Sequence, residues 1–89
     1  MKLWIDDVRP APEGYVWLKS VKDAKACIEQ CEYFDAVVEV VDIDHDAGEF
    51  VKYGGEETGR SYPIHIQSMN VVGVQNMRAI IQKNHWKEV

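Results

Sequence analysis

The chain has 89 residues, of which 46% are hydrophobic and 28% charged, a composition typical of one small globular domain and too short for two ordinary ones. Ten basic and fifteen acidic residues give a net charge of −5, which argues against an extended nucleic-acid surface and against anionic membranes. No apolar run approaches the roughly 20 residues that span a bilayer, and the opening residues resemble a strand rather than a signal peptide. We therefore expect a cytoplasmic protein with a single domain, residues 1–89.

The first elements are two short strands. The apolar run 3–5 is stopped by Asp6 and Asp7, and a proline-containing connection follows, which predicts a first strand and then an irregular loop. Residues 15–18 follow a glycine and are rich in aromatic and β-branched side chains. They predict a second strand at the edge of the sheet.

A helix should follow from Ser20, a favourable N-cap, to about Glu32. The only two cysteines, Cys27 and Cys31, lie four residues apart on its apolar face. We predict that both are reduced core residues and that neither binds a metal.

The second half of the chain predicts two more strands and a helix. Residues 34–43 are nearly continuous in apolar and β-branched side chains, as expected for a central parallel strand covered on both faces. Residues 63–67 alternate in polarity and predict a further strand. Apolar residues then recur at helical spacing from Val72 to about Asn84. We find no convincing fifth strand.

The crossover between residues 46 and 62 does not fit this pattern. Parallel neighbours are usually joined by a helix, but this segment contains four glycines and shows no clear apolar stripe. Residues 56–59 nonetheless have the sequence of a helix C-terminus. We therefore expect that a full helix does not fit, and that a crossover helix is missing from the sequence between Gly55 and Glu56.

Acidic residues end two of the predicted strands. Carboxyl ends of parallel strands meet at one edge of a sheet, where ligands bind, so Asp44 should approach Asp6 and Asp7 and offer the oxygen ligands that Mg²⁺ prefers. Asp42 lies about 6.6 Å from Asp44 along the strand and should be a neighbour rather than a ligand. Turn formation by Asp6 and Asp7, and solvation of Asp44 and Asp46 in a loop, are the open alternatives.

Other residues at these strand ends have two open roles each. His45 can transfer a proton or stabilise its loop by hydrogen bonding. Arg9 can bind a phosphate or form a salt bridge with Asp6 or Asp7. Ser68 can donate to a phosphate oxygen or cap the last helix, whose start near Asn70 favours anions.

Three segments, LWIDDVRPAPEGYVWLKS, DIDHDAG and SMNVVGVQNM, resemble the cyclic-phosphate processing receiver domains. That family has the motifs D-D-x-R-P, W-x-x-x-K-[ST], L-D-H-D-L-G and H-S-x-N-P-x-G. The resemblance implies an α/β, flavodoxin-like (receiver-like) three-layer fold, reduced in size, with a small, mostly parallel sheet. It also implies a role in handling cyclic or terminal phosphates on nucleotides. The matching positions are Asp6, Asp7, Arg9, Pro10, Trp17, Lys19, Asp44, His45, Asp46, Gly48, Ser68, Asn70 and Gly73, with a shorter spacing in the second motif, where one residue rather than three separates Trp17 from Lys19.

The chain departs from the family pattern at several positions. Gln67 stands where the family has histidine, Val71 where it has proline, Ala47 where it has leucine, and Asp42 where serine is frequent. The first departure matters most, because glutamine can bind a phosphate but cannot transfer a proton at neutral pH. His65 lies two residues earlier on the same strand face and is a candidate replacement.

The leading hypothesis is a Mg²⁺-dependent phosphoesterase acting on a small phosphorylated ligand, a nucleotide or an RNA end. The predicted metal ligands are Asp6, Asp7 and Asp44, and the predicted catalytic residues are His45, Asp44 and Asp46, with Asp46 orienting His45. The predicted substrate-binding residues are Arg9, Lys19, Gln67, Ser68 and Asn70. Two alternatives remain open: a receiver-type signalling module that accepts a phosphoryl group on Asp44, and a non-catalytic nucleotide-binding domain.

Overall fold

The computed structural model describes residues 1–44, 47–67 and 70–89. Its core is a five-stranded sheet in the order β2-β1-β3-β4-β5, in which every neighbouring pair is parallel. This is the flavodoxin-like strand order, so the predicted fold class is confirmed. The strands are β1 (Lys2–Ile5), β2 (Tyr15–Leu18), β3 (Val40–Ile43), β4 (Pro63–Ile66) and β5 (Lys87–Glu88).

Three helices connect the strands. They are α1 (Val21–Tyr33), α2 (Gly48–Lys52), which continues into a π-helical turn (Tyr53–Glu57), and α3 (Val71–Lys83). As predicted, Ser20 caps α1: its hydroxyl accepts a hydrogen bond from the backbone N–H of Asp23 at 3.1 Å. In the part of the chain that the structure describes, no helix is long and apolar enough to cross a membrane.

The helices all pack on one face of the sheet. The crossovers β2-α1-β3, β3-α2-β4 and β4-α3-β5 move in the same direction across the sheet, and right-handed crossovers then place their helices on the same side. Buried residues of the strands, the helices and the segments that join them form a hydrophobic core: Leu3, Ile5, Leu18, Ala24, Ile28, Cys31, Val38, Val41, Ile43, Ala47, Phe50, Val51, Ile64, Met77, Ile81 and Trp86. The opposite face carries no helix in the described residues, so the described part of the chain has two layers and the predicted third layer is wrong.

The central strand is shorter than predicted. The structure forms β3 only from Val40 to Ile43, whereas the sequence predicted a strand over 34–43. Residues after α1 instead make a turn, in which the N–H of Ala36 donates to the carbonyl of Cys31 and Asp35 has a φ of 57°. Phe34 is exposed as a result. An apolar run alone could not reveal that the ladder with β1 starts only opposite Lys2.

The prediction that a full helix does not fit the crossover is wrong. The chain is helical from Gly48 through Glu57, and the two apolar residues of α2, Phe50 and Val51, are fully buried. The segment passes directly through Gly55 and Glu56, so the fold needs no missing helix there. The C-terminal part of this prediction is confirmed, since Gly59 follows the helical segment with a φ of +69°.

The expectation of no fifth strand is also wrong. β5 has two residues and pairs with the amino-terminal half of β4, so Lys87 lies opposite Pro63 and Glu88 opposite Ile64. Arg78 of α3 holds this strand by a two-pronged ion pair with Glu88, with nitrogen-to-oxygen distances of 3.0 to 3.1 Å. So short a strand has no detectable pattern in the sequence.

Candidate functional site at the carboxyl edge of the sheet

A pocket of about 210 Å³ opens at the carboxyl edge of the sheet. It collects acidic side chains from two adjacent strands: Asp6 and Asp7 follow β1, and Asp44 follows β3. The complete lining is Ile5, Asp6, Asp7, Lys19, Ser20, Val21, Asp44 and Ala47. The structure therefore brings the three predicted metal ligands to one cavity, together with Lys19.

Asp6 organises the loop that follows β1. Its side chain is 5% exposed, and Oδ1 accepts hydrogen bonds from the backbone N–H groups of Val8 at 2.8 Å and Arg9 at 2.9 Å. This is the turn chemistry that the sequence left open. No hydrogen bond to Oδ2 of Asp6 is present in the described residues, so the same carboxylate that forms the turn keeps an oxygen for a ligand.

Two tryptophan side chains hold the loop after β1 by hydrogen bonds to its backbone carbonyls. The indole N–H of Trp17 donates to the carbonyl oxygen of Asp6 at 2.7 Å, and that of Trp4 donates to the carbonyl oxygen of Arg9 at 2.9 Å. The two residues are direct neighbours across β1 and β2. These two bonds could not be predicted from the sequence, because a hydrogen bond to a distant carbonyl leaves no periodic pattern.

Two parts of the chain contribute positive electrostatic potential to the pocket. Lys19 lines it and also lies over the indole of Trp17, with its Nζ atom 4.5 Å from the ring centroid. Ser20 and Val21 form the start of α1, whose backbone N–H groups carry the positive end of the helix dipole. The sequence had assigned the anion-favouring helix start to α3, so this contribution from α1 was missed.

Comparison with known protein families shows to which family the chain belongs. The family model of the cyclic-phosphate processing receiver domain matches residues 1–83. The chain belongs to this family. A search of curated proteins and a search of solved structures each found no match to the chain.

In this receiver domain, Arg9 reaches across the sheet edge. Its Nη1 donates to the carbonyl oxygen of Gln67 at 3.1 Å, beyond the end of β4. Among the described residues it forms no ion pair with Asp6 or Asp7, so the salt-bridge alternative is wrong. The exposed guanidinium lies at the carboxyl edge of the sheet, and its phosphate-binding role stays a prediction.

Gln67, the residue that replaces the family histidine, spans the ends of three strands. Its backbone N–H bonds the carbonyl of Ile43, and its side-chain amide reaches the carbonyl of Ile5 at 3.5 Å. The other amide atom, Oε1, is buried and has no hydrogen-bond partner in the described residues. An amide held in this way can position a ligand but offers no titrating group.

His65 does not replace that histidine. It lies opposite Asp42 in the middle of the sheet, and its Nδ1 contacts Oδ1 of Asp42 at 2.6 Å. Both side chains face the helix-free side, and neither lines the pocket of Asp6 and Asp44. Asp42 is thus a neighbour rather than a pocket residue, as predicted.

The remaining predicted site residues are only partly described. Asn70 lies at the N-cap of α3, where its Oδ1 accepts from the backbone N–H of Gly73 at 2.9 Å. This oxygen therefore has a structural partner. His45, Asp46 and Ser68 lie outside the described residues, and their predicted roles stay predictions.

The donor set fits a hard cation that keeps much of its water. In residues 1–44, 47–67 and 70–89, no three His, Cys, Asp or Glu side chains form a ready-made ligand cluster. Mg²⁺ does not need one, because it commonly binds through one or two carboxylates, several waters and a substrate phosphate. Asp6, Asp7 and Asp44 offer carboxylates of this kind around a cavity with space for water.

Proposed function

We propose that this receiver domain processes a cyclic or terminal phosphate on a nucleotide or RNA end with the help of Mg²⁺. The observation that carries the proposal is the shared pocket, in which three carboxylates meet Lys19 and the start of α1. A metal–phosphate pair needs both kinds of neighbour: oxygen ligands for the cation and positive groups for the anion. The cytoplasmic location expected from the sequence is part of the proposal.

Each residue then has a defined task. One or two of the carboxylates of Asp6, Asp7 and Asp44, together with water, hold the cation, which when bound stabilises the negative charge that develops on the phosphate. Lys19 and Arg9 bind the phosphate oxygens from two sides. In this proposal His45 transfers the proton and Asp46 orients its imidazole, while Ser68, Asn70 and Gln67 position the substrate by hydrogen bonds.

The direct test is turnover of a nucleoside 2′,3′-cyclic phosphate. We expect opening of the ring in the presence of Mg²⁺, loss of turnover with excess EDTA, and loss of turnover in Asp44→Asn. Asp35→Asn is the matched control, because it makes the same chemical change in the turn after α1, where a φ of 57° suits asparagine. Equal rates for the two variants, or a rate insensitive to EDTA, would refute the proposal.

A phosphoryl-accepting signalling module is the first alternative. An ordinary receiver has a lysine at the carboxyl end of its fifth strand. Here Lys87 lies opposite Pro63, at the amino-terminal end of β4 and therefore at the other edge of the sheet. This placement disfavours the alternative. Incubation with acetyl phosphate tests it, since a phosphorylated Asp44 adds about 80 Da to the intact mass.

A non-catalytic nucleotide-binding domain is the second alternative, favoured by Gln67 at the histidine position. In that case nucleotides raise the melting temperature and Mg²⁺ strengthens the effect, but no product forms. The variant Gln67→His separates the two cases. Restored or increased turnover in this variant would show that the pocket is catalytic and that Gln67 limits the rate of turnover.

A further inference from the structure

The helix-free face of the sheet carries a cluster of aromatic side chains. In the pairing of β1 with β2, Trp4 lies beside Trp17 and Lys2 beside Tyr15, and side chains two residues apart on a strand share a face. All four therefore lie on the side opposite the core. Trp17 is 37% exposed, and Trp4 and Tyr15 make an edge-to-face contact with ring centroids 5.9 Å apart.

A shallow groove of about 340 Å³ extends this cluster across the sheet. It is lined by Trp4, Tyr15, Val40, Asp42, His65 and Val89, so that its walls are aromatic and aliphatic. Its one acidic side chain among the described residues, that of Asp42, is only 5% exposed and is in contact with His65. The charge of Asp42, followed by burial and hydrogen bonding, raises the pKa of Tyr15 above its ordinary value.

Two lysine ammonium groups lie close to the aromatic rings of this face. Lys2 Nζ lies 5.6 Å from the ring centroid of Tyr15, and Lys19 Nζ lies 4.5 Å from that of Trp17. A face that combines rings with lysines suits a ligand made of planar bases and phosphates. This local arrangement contrasts with the net charge of −5 for the whole chain.

The face and the phosphate pocket meet at Lys19. Its ammonium group lies over Trp17 on the helix-free face, and the same residue lines the pocket with Asp6 and Asp44. Tyr15 lies two residues before Trp17, about 6.6 Å further from the pocket along β2. A nucleic-acid strand whose terminal phosphate occupies the pocket can therefore continue past Trp17 toward Tyr15 and Lys2.

We infer that the helix-free face binds the single-stranded RNA segment that leads to the phosphate in the pocket. The inference rests on the proposed function and names its substrate class as an RNA end rather than a free mononucleotide. Unpaired bases can stack on exposed rings, whereas the bases of a duplex are stacked inside it. The footprint is a few nucleotides, which is compatible with the absence of an extended nucleic-acid surface.

The test compares binding of a labelled single-stranded tetranucleotide to the whole domain and to four variants. Tyr15→Val removes a ring and keeps a strand-forming residue, and Lys2→Gln removes a charge; neither residue belongs to the phosphate pocket. Tyr33→Ala and Lys83→Gln are the matched controls, because both residues are exposed on helices of the other face. Melting temperatures confirm that each variant is folded.

We expect Tyr15→Val to weaken binding about tenfold, the loss typical of one stacked base. Lys2→Gln should reduce the magnitude of the slope of log K against log salt concentration by about 0.7, where K is the association constant for the oligonucleotide. This is the value expected for the loss of one phosphate contact with a single strand. The two controls should bind like the unchanged protein. Turnover of the cyclic mononucleotide should be the same in all five proteins.

Several results would overturn the inference. They are equal binding of duplex and single strand, equal losses in the Tyr15 and Tyr33 variants, and a dimer that Tyr15→Val dissociates, which would make the face an interface between copies. An oligonucleotide with a plain 3′-hydroxyl separates this inference from the proposed function. Its binding depends on the face alone, whereas cyclic mononucleotide turnover depends on the pocket alone.

Discussion

At the scale of single residues, the pocket depends on side chains that do not themselves face a ligand. Asp6 uses one oxygen to order its own loop, and the indoles of Trp17 and Trp4 hold two carbonyls of that loop. The sequence identified Asp6 from its charge and its position after a strand. The contribution of the tryptophans depends on distances between chain segments, which composition does not determine.

Trp17→Phe tests this support directly, because it keeps an aromatic ring and removes the hydrogen-bond donor to Asp6. A net loss of about 1 kcal/mol in local stability should speed amide exchange at Val8 and Arg9 about fivefold. Hydrogen exchange followed by NMR measures this. Trp86→Phe is the control, since the Trp86 indole N–H has no acceptor in the described residues. Similar exchange rates in both variants would contradict the assigned role.

At the scale of elements, the crossover helix shows how packing can override local preference. Gly54 and Gly55 are poor helix formers, yet both lie in the π-helical turn. Tight contacts explain them: a Cβ at Gly54 would lie 2.5 Å from Cζ2 of Trp86, and one at Gly55 would overlap Oδ1 of Asn84. The glycines that suggested a missing helix are what allow this helix to approach the segment before β5.

Gly54→Ala should therefore destabilise the protein by about 2 kcal/mol, the usual effect of overpacking against a rigid ring. Gly48→Ala is the matched control in the same helical segment. Its Cβ would meet the flexible ends of two side chains, Cδ1 of Ile80 at 2.9 Å and Sδ of Met77 at 3.9 Å, and alanine is the better helix former. Urea unfolding of the two variants measures the difference. A Gly54→Ala protein as stable as the Gly48→Ala protein would contradict this account of the crossover.

The second prediction at the scale of elements concerns the thiol of Cys27 in α1. Burial, then the nearby charge of Cys31 and a hydrogen bond to it, raise the pKa of the half-buried Cys27 thiol to about 11. An unfolded chain would ionise this thiol near pH 8.5, so the thiol's contribution to the free energy of unfolding is complete below that pH. It should decline as the pH rises toward 11.

Chemical denaturation at pH 7, 9 and 10 measures this decline. The difference in unfolding free energy between the unchanged protein and Cys27→Ser isolates the thiol from tyrosines that titrate in the same range. That difference should shrink as the pH increases. A constant difference across the series would show that burial does not control the ionisation of Cys27.

At the scale of the whole molecule, the strand order creates the candidate site. β1 and β3 are neighbours in the sheet although 34 residues separate Ile5 from Val40, and their shared edge joins the two acidic clusters. In the part of the chain that the structure describes, the same order leaves one face without helices, because the link from β1 to β2 is a loop. Both the pocket and the aromatic face thus follow from one arrangement of strands.

Mg²⁺ should stabilise the entire fold, because it binds carboxylates that come together only in the folded chain. A hundredfold excess over the dissociation constant should add about 2.7 kcal/mol to the free energy of unfolding. Thermal or urea unfolding with MgCl₂, against NaCl of equal ionic strength, measures the effect. It should disappear in the double variant Asp6→Asn, Asp44→Asn. Equal stabilisation by the two salts would indicate screening alone.

The amino-acid pattern was enough to predict the parallel α/β class, four of the five strands, α1 and α3, and the acidic residues that end β1 and β3. Those features follow from local patterns of apolar residues, caps and charges, which act over a few neighbouring positions. The folded chain was needed to find the continuous crossover helix, the two-residue β5, the tryptophan bonds to the loop and the helix-free face. These depend on which distant backbone segments approach within a few ångströms, and that proximity is a property of packing rather than of any local stretch.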